Sequence, residues 1–587
     1  MAHGLGIIGN CSYNALLRDG SVEWLCWPRP DSSFVFGPLL DRERGGAFVV
    51  EGVDATDVRQ EYVENTNVLR TVFRGPGGEF ALYDFAPRFQ LYQRFFKPSM
   101  LIRILRPLSG EPRARVRCRP TYDYGLSETG SWRASNHIEY KGFPTPVRLT
   151  TNVPLTYVED ERPFLLEEDR HLVLTWGEPL EAGLEETAER FLERTLDYWR
   201  RWVKGTRVPR DYQREVVRSA LALKLHQYED TGALLAATTT SLPEHPGSGR
   251  TWDYRFCWLR DAFYVLGALR LLGHFEEREA FVQYLINIVA SSPDLDLAPL
   301  YRIDGSSELS EQILTHWAGF DGDGPVRIGN EAALQRQHDV FGEMVMALSP
   351  IFLDDRFQAE QSTAILELLT RLADKAIEVA GKPDAGIWEQ RREACVQTFS
   401  SLMSWAAADR MALVASRHLP TREAHYRAAA DRIRADIQEH AWAKDLESYV
   451  STFGGKDLDA ALLQMAPLRF GGRTDERLRQ TIDAIGNRLG DDGWLFRYRE
   501  DDGLGLPTVA FAICTFWMVE ALAQNGRHDR ARELFERTLG ALSPLGLLSE
   551  DVDPRTRKLY GNFPQAYSHV GLIHAAFAVA PPWHEVL

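Results

Sequence analysis

The chain has 587 residues, more than one ordinary core accommodates, so two or more domains are expected. Its 44% hydrophobic and 26% charged residues fit a soluble globular protein, and a net charge of −16 argues against nucleic acid and anionic membrane surfaces as partners. The opening residues lack a basic stretch followed by an apolar one, so no signal peptide is expected, and no apolar run approaches the ~20 residues of a membrane span. The six cysteines are scattered without a CxxC pair, which fits free thiols in a reducing cytoplasm.

Residues 1–182 read as an antiparallel β-sandwich domain. Short Val-, Leu-, Phe- and Tyr-rich runs, such as 47–51, 68–73, 80–85, 101–105, 115–119 and 171–175, are separated by Gly, Pro and Asp. Gly4-Leu-Gly-Ile-Ile-Gly9 is formally a G-x-G-x-x-G, but no strand can precede it and no helix follows. It reads as a glycine-bearing turn or strand edge, not a dinucleotide site. Residues 183–206, charged and helical, form a linker. From 207 to 587 twelve helical stretches are expected, among them 332–352, 457–465, 508–525 and 528–541. The segment 508–525 is apolar nearly all round, whereas 528–541 carries one apolar stripe, as inner and outer helices of a ring would. Six such hairpins make an (α/α)6 barrel. No fixed-period repeat supports a solenoid, and chemistry is expected where the loops converge at one end.

Four connections carry chemistry-bearing residues. In 384–391, Glu389 follows Trp388; burial beside the indole would favour the protonated acid that glycosidic cleavage needs, against the plainer reading of an exposed loop glutamate. The segment 250–261 packs two tryptophans, a tyrosine, three arginines and two aspartates into twelve residues, suiting pyranose faces and hydroxyls, or else an aromatic plug with an ion pair. In 324–330, Arg327 and Asn330 are candidate binders in what is otherwise a turn. In 547–553, Glu550 is crowded by Asp551 and Asp553, so at least one carboxyl must be paired, solvated or shifted.

These segments resemble glycoside hydrolase family 15, which contains glucoamylases, glucodextranases and bacterial trehalases. The likeness runs through 8–10, 19–31, Trp252–Asp261, 325–330, 386–389, 501–503, 515–517, 546–550 and 561–565. It implies an inverting hydrolase releasing terminal glucose from an α-glucoside, with Glu389 as general acid and Glu550 as general base. Arg260 and Asp261 would hold the terminal glucose, and Trp258, Trp388 and Arg327 would line the pocket. One departure is Thr508, near which many relatives carry an acidic residue.

Neither a metal nor a cofactor is expected, since the sequence has no HExxH and no clustered His and Cys. The expected partner is an oligosaccharide or disaccharide, with malto- or isomalto-oligosaccharides first and trehalose second. The chain ends soon after its last helical stretch, so no starch-binding module is expected. An α-glucoside phosphorylase and a non-catalytic glycan-binding protein remain alternatives, and the sequence does not fix an oligomeric state.

Overall fold

The computed structural model describes residues 4–585 except 392 and 504. Antiparallel strands run from Gly6 to Trp176 in two large sheets, one of seven strands and one of eight. The strand Gly6–Gly9 pairs with Asn14–Arg18, so the glycine-rich opening is a sheet edge.

Strand periodicity explains how the sheets layer. In Met100–Gly110, Leu101 and Leu105 point into a core shared with Ile8, Phe48 and Val116 of the other sheet. Ile102 and Ile104 point the other way, onto Phe191 and Leu192 of the Leu184–Lys204 helix. The sandwich interior also holds a buried ion pair. Arg103 is fully buried, pairs with Asp84 at 2.7 Å and donates to the carbonyls of Phe48 and Gly20. The seven-stranded sheet is covered on its outer face by the helical half. Ile7, Leu16 and Trp24 share a core with Val216, Ala220 and Leu223 of the Gln213–His226 helix.

The helical half is a double ring. Leu259–Leu272 packs on Asp339–Leu348, which packs on Thr398–His418. The series continues through Ala460–Met465, Ala512–Gln524 and Ala566–Val579, and the last of these packs back on Leu259–Leu272. Gln213–His226, Phe275–Ala290, Thr363–Val379, Glu423–His440, Glu476–Leu489 and His528–Leu539 lie outside. As the sequence indicates, Ala512–Gln524 is apolar and buried almost all round, while His528–Leu539 buries only Ala531, Phe535 and Thr538.

Two expectations change. The stretch 457–465 forms a tight 3-10 segment, Ala460–Met465, capped by the Asp459 side chain at the Ala461 N–H. The stretch 332–352 breaks into the 3-10 turn Glu331–Leu334, then Asp339–Leu348 and Pro350–Leu353, because Asn330 caps the first turn and Pro350 cannot continue the preceding helix. Two-residue ladders such as Cys257–Trp258 with Leu300–Tyr301 brace the long loops between the helices. No described helix is long and apolar enough to cross a membrane.

Candidate active site

The loop carrying Glu389 is built tightly. Asp384 anchors its start, its Oδ2 accepting from the His338 N–H and the Ser400 hydroxyl, both at 2.8 Å. Gly386 has φ +70°, a conformation that favours glycine, and a Cβ there would lie 2.9 Å from the Gln397 side chain, which would have to shift. Glu389 itself sits at φ +58°, a left-handed conformation that costs a non-glycine residue energy and recurs where a side chain must be aimed.

The indole beside the Glu389 carboxyl is not that of Trp388. Trp258 Nε1 donates to Glu389 Oε1 at 2.7 Å, while Trp388 turns away and donates to Asp459 Oδ1 at 2.8 Å. The reason is positional: neighbouring side chains on a turn diverge, whereas Trp258 projects from the start of an inner helix across the ring. Arg260 Nη1 reaches the same Oε1 at 3.3 Å and the Ile387 carbonyl at 2.6 Å, and its Nε contacts Asp261 at 3.2 Å. Arg260 and Asp261 thus belong to the Glu389 constellation, with Asp261 raised above the usual carboxylate range by burial and lowered again by Arg260.

A cavity of about 340 Å³ opens here, lined by Trp252, Tyr254, Asn330, Gln335, Trp388 and Glu389 together with Glu244, Arg250, Arg497 and Asp502. Glu550 is 2% exposed and reaches this cavity through Tyr254, whose hydroxyl donates to Glu550 Oε1 at 2.7 Å. The Tyr254 and Trp258 rings meet edge-on at 5.3 Å. Glu389, Trp258, Tyr254 and Glu550 therefore form one continuous run of contacts. Burial first, and then the Glu244 carboxylate, push Glu550 up to about 8; the hydrogen bond from Tyr254 and the charges of Arg497 and Arg260 act against this. Gly561 lets the chain pass close over this carboxyl, since a Cβ there would lie 2.9 Å from Glu550 Cβ.

Of the residues expected at the pocket, Trp388 and Glu389 line the cavity; Trp258, Arg260, Asp261 and Glu550 stand behind its wall, and Arg327 does not line it either. Arg327 lies behind Trp252, 5.0 Å from that ring, paired with Glu311. Its backbone ties the turn to the neighbouring loop, the Arg327 carbonyl accepting from Thr240 at 2.7 Å, and of this turn Asn330 lines the cavity. Arg391, 4.6 Å from the Trp252 ring, lines the cavity instead. Thr508 is exposed and is not among the lining residues.

Two groups of residues escaped the sequence reading. Glu244 accepts from Arg250, Arg497 and Trp252 at 3.4, 3.0 and 3.2 Å, and Arg250 forks onto Asp502 at 2.7 and 2.9 Å. Arg250 and Trp252 fall in the segment 250–261 and Asp502 in the turn at 501–503, but neither segment signals the pairing. Beneath Arg260, Asp339 and Glu343 stand one turn apart on one helix, fully buried, and none of their four carboxyl oxygens has a hydrogen-bond partner. Burial and nearby Asp384 push Asp339 up to about 7, and burial and Asp339 hold Glu343 well above the usual range. Among the described residues no group of three or more His, Cys, Asp and Glu side chains is arranged to hold a metal ion.

A family model described as "Glycosyl hydrolases family 15" matches residues 210–577, and one described as "Trehalase-like, N-terminal" matches residues 3–160. A trehalase of Mycobacterium tuberculosis is 36% identical over 95% of this chain and 86% of its own length. One of Thermoplasma volcanium is 34% identical over 99% of this chain and 93% of its own length. In fold, the chain matches a bacterial glucoamylase crystallised with acarbose, at a TM-score of 0.70 and 14% identity, over 98% of this chain and 93% of that one.

Proposed function

Because the chain belongs to glycosyl hydrolases family 15 and is a glycosidase, we propose that it hydrolyses α,α-trehalose to two glucose molecules, with Glu389 and Glu550 as its acid and base. The observation that supports the chemistry is the run of contacts Glu389–Trp258–Tyr254–Glu550, of which Glu389 and Tyr254 line the cavity and Glu550 lies directly behind Tyr254. The names of the relatives, which match along nearly their whole length, turn the substrate from the malto- or isomalto-oligosaccharides expected from the sequence to trehalose. The cavity of about 340 Å³ is at the small end of the roughly 300–1,000 Å³ typical of small-molecule sites, which suits a disaccharide.

In this reading Glu389 protonates the glycosidic oxygen as the C–O bond breaks. Glu550, ionised, takes a proton from a water that attacks the anomeric carbon from the opposite face. Arg260 and Asp261 hold the hydroxyls of the cleaved glucose, and Arg260 also fixes the Glu389 carboxyl. Attack with inversion yields one β-glucose from the attacked ring and one α-glucose from the leaving ring, which proton NMR during turnover distinguishes.

The test of the substrate is glucose release from trehalose, maltose, isomaltose and dextran side by side; faster release from maltose than from trehalose rejects it. Glu389→Gln lowers kcat by about 10²–10⁴ on trehalose with the fold intact; an unimpaired variant rejects the acid.

The raised Glu550 favours one second reading, in which the two roles are exchanged and Glu550 delivers the proton. The pH profile separates the two: kcat/KM that climbs through about pH 8 supports Glu550 as base, and kcat/KM that declines through it supports Glu550 as acid. An acid-deleted variant also keeps activity on α-glucosyl fluoride, whose leaving group needs no proton, whereas a base-deleted variant does not.

A further inference from the structure

A second cavity, of about 590 Å³, lies on the flank of the molecule and shares no lining residue with the first. Three parts of the chain meet there. Arg88 and Phe95 come from the sandwich, Tyr198 and Trp202 from the Leu184–Lys204 helix, and Lys224 and Glu277 from two outer helices of the ring. Cavities at such junctions are where small molecules preferentially bind.

The lining selects by charge. Arg88, Arg194, Arg201 and Lys224 stand against Asp197, Glu229, Glu276 and Glu277, four basic against four acidic, so the wall as a whole is neutral. The inner pairs are already engaged. Arg88 Nη1 contacts Glu229 at 3.0 Å, Lys224 contacts Glu277 at 3.1 Å, and Trp202 Nε1 donates to Glu277 at 2.8 Å. A charged ligand that reached these inner pairs would have to displace one of the partners and leave a buried charge unpaired. A hydroxyl, by contrast, donates to a carboxylate and accepts from a guanidinium without breaking the pair. Flat apolar surface is also present: Phe95 is 37% exposed, and the Arg88 guanidinium lies 4.6 Å from its ring and 4.7 Å from that of Tyr198. Aromatic faces beside engaged ion pairs suit a ring with C–H faces and a hydroxyl rim.

We propose that this cavity is a second binding site, distinct from the catalytic one, for a neutral sugar the size of glucose or a disaccharide. Gln227, in its wall, donates to the Glu277 carbonyl at 2.9 Å. It also opens the segment that carries Glu244, Trp252 and Tyr254 to the catalytic cavity, so a sugar bound on the flank contacts the root of that segment.

The test uses the full chain with Glu550→Gln, which leaves trehalose intact, titrated by calorimetry with trehalose and separately with glucose. A second chain adds Ala280→Trp, which fills the cavity from a half-buried wall position. Two binding events per chain are expected for at least one sugar, falling to one with Ala280→Trp; Ala280→Trp alone keeps kcat/KM within about two-fold. One event in both chains, two events in both, or no binding of either sugar overturns the proposal. Should Ala280→Trp not fold, Phe95→Ala is read in the same way. Glucose 6-phosphate binds the flank at least about tenfold more weakly than glucose, and equal or tighter binding overturns the neutral class. Failure of the trehalase reading leaves this test intact, because its glucose arm does not depend on which glycoside is cleaved.

Discussion

Glu550→Gln should stabilise the protein while disabling it, and the stabilisation should depend on pH in a defined way. Glu550 is 2% exposed and pushed up from 4.5 to about 8, by burial first and by the Glu244 carboxylate second. Below about pH 4.5 the carboxyl is protonated in both folded and unfolded chains and costs nothing. Between about 4.5 and 8 the unfolded chain ionises and the folded one does not, so stability falls as pH rises through that window, and the full penalty is present above it. At 1.36 kcal/mol per pH unit the penalty is about 4–5 kcal/mol when complete and grows by about 3–4 kcal/mol between pH 5 and pH 8. Glutamine cannot ionise, and its carbonyl still accepts from Tyr254, so the variant escapes the penalty. The assay is calorimetric melting of both chains at pH 5 and pH 8. For a core of this size about 1–2 °C accompanies each kcal/mol, so the variant's advantage in melting temperature should widen by about 3–8 °C at the higher pH. An advantage that stays constant, or shrinks, as pH rises refutes the reasoning.

Glu244→Gln removes the charge that pushes Glu550 upward, so the limb of the kcat/KM profile set by Glu550 should move to lower pH; a limb that stays in place breaks the link between the two. Arg327→Ala should change kcat/KM on trehalose by no more than about three-fold, because the side chain is spent on Glu311 behind Trp252, and a hundredfold loss would put the guanidinium on substrate. Arg103→Met should cost about 3–5 kcal/mol in denaturant unfolding by leaving Asp84 buried and uncompensated. The double change with Asp84→Asn should recover much of that, and a double variant no better than the single would disprove the pairing argument.

The fold was legible where periodicity speaks. The runs 101–105 and 115–119 alternate as two-faced strands must, and they sit within Met100–Gly110 and Arg113–Arg119. The paired character of 508–525 and 528–541 foretold an inner and an outer helix, and the observed Ala512–Gln524 and His528–Leu539 lie inside those limits. Glu389 and Glu550 stand out in the sequence because short segments of characteristic composition carry them, and the structure links the two through Trp258 and Tyr254. What stayed hidden depends on contacts between distant segments. Nothing in 250–261 tells that Arg250 will fork onto Asp502, 252 residues away. Asp339 and Glu343 read as ordinary polar positions of a helix, because one-turn spacing gives no sign that their face is turned into the ring. The partner of Glu389 was misassigned for the related reason that adjacency in sequence suggested Trp388, and only the closed ring brings Trp258 across.

The division of neighbouring side chains between two cores has a practical corollary. Ile7 serves the helical ring and Ile8 the sandwich, Trp24 donates to the Thr238 carbonyl, and Arg255 donates to Ser32 of the sandwich half. A chimera that grafts the front module of a distant relative onto these helices must transplant that seam intact. Otherwise the loops bearing Tyr254 and Trp258 lose the buttress that sets their depth.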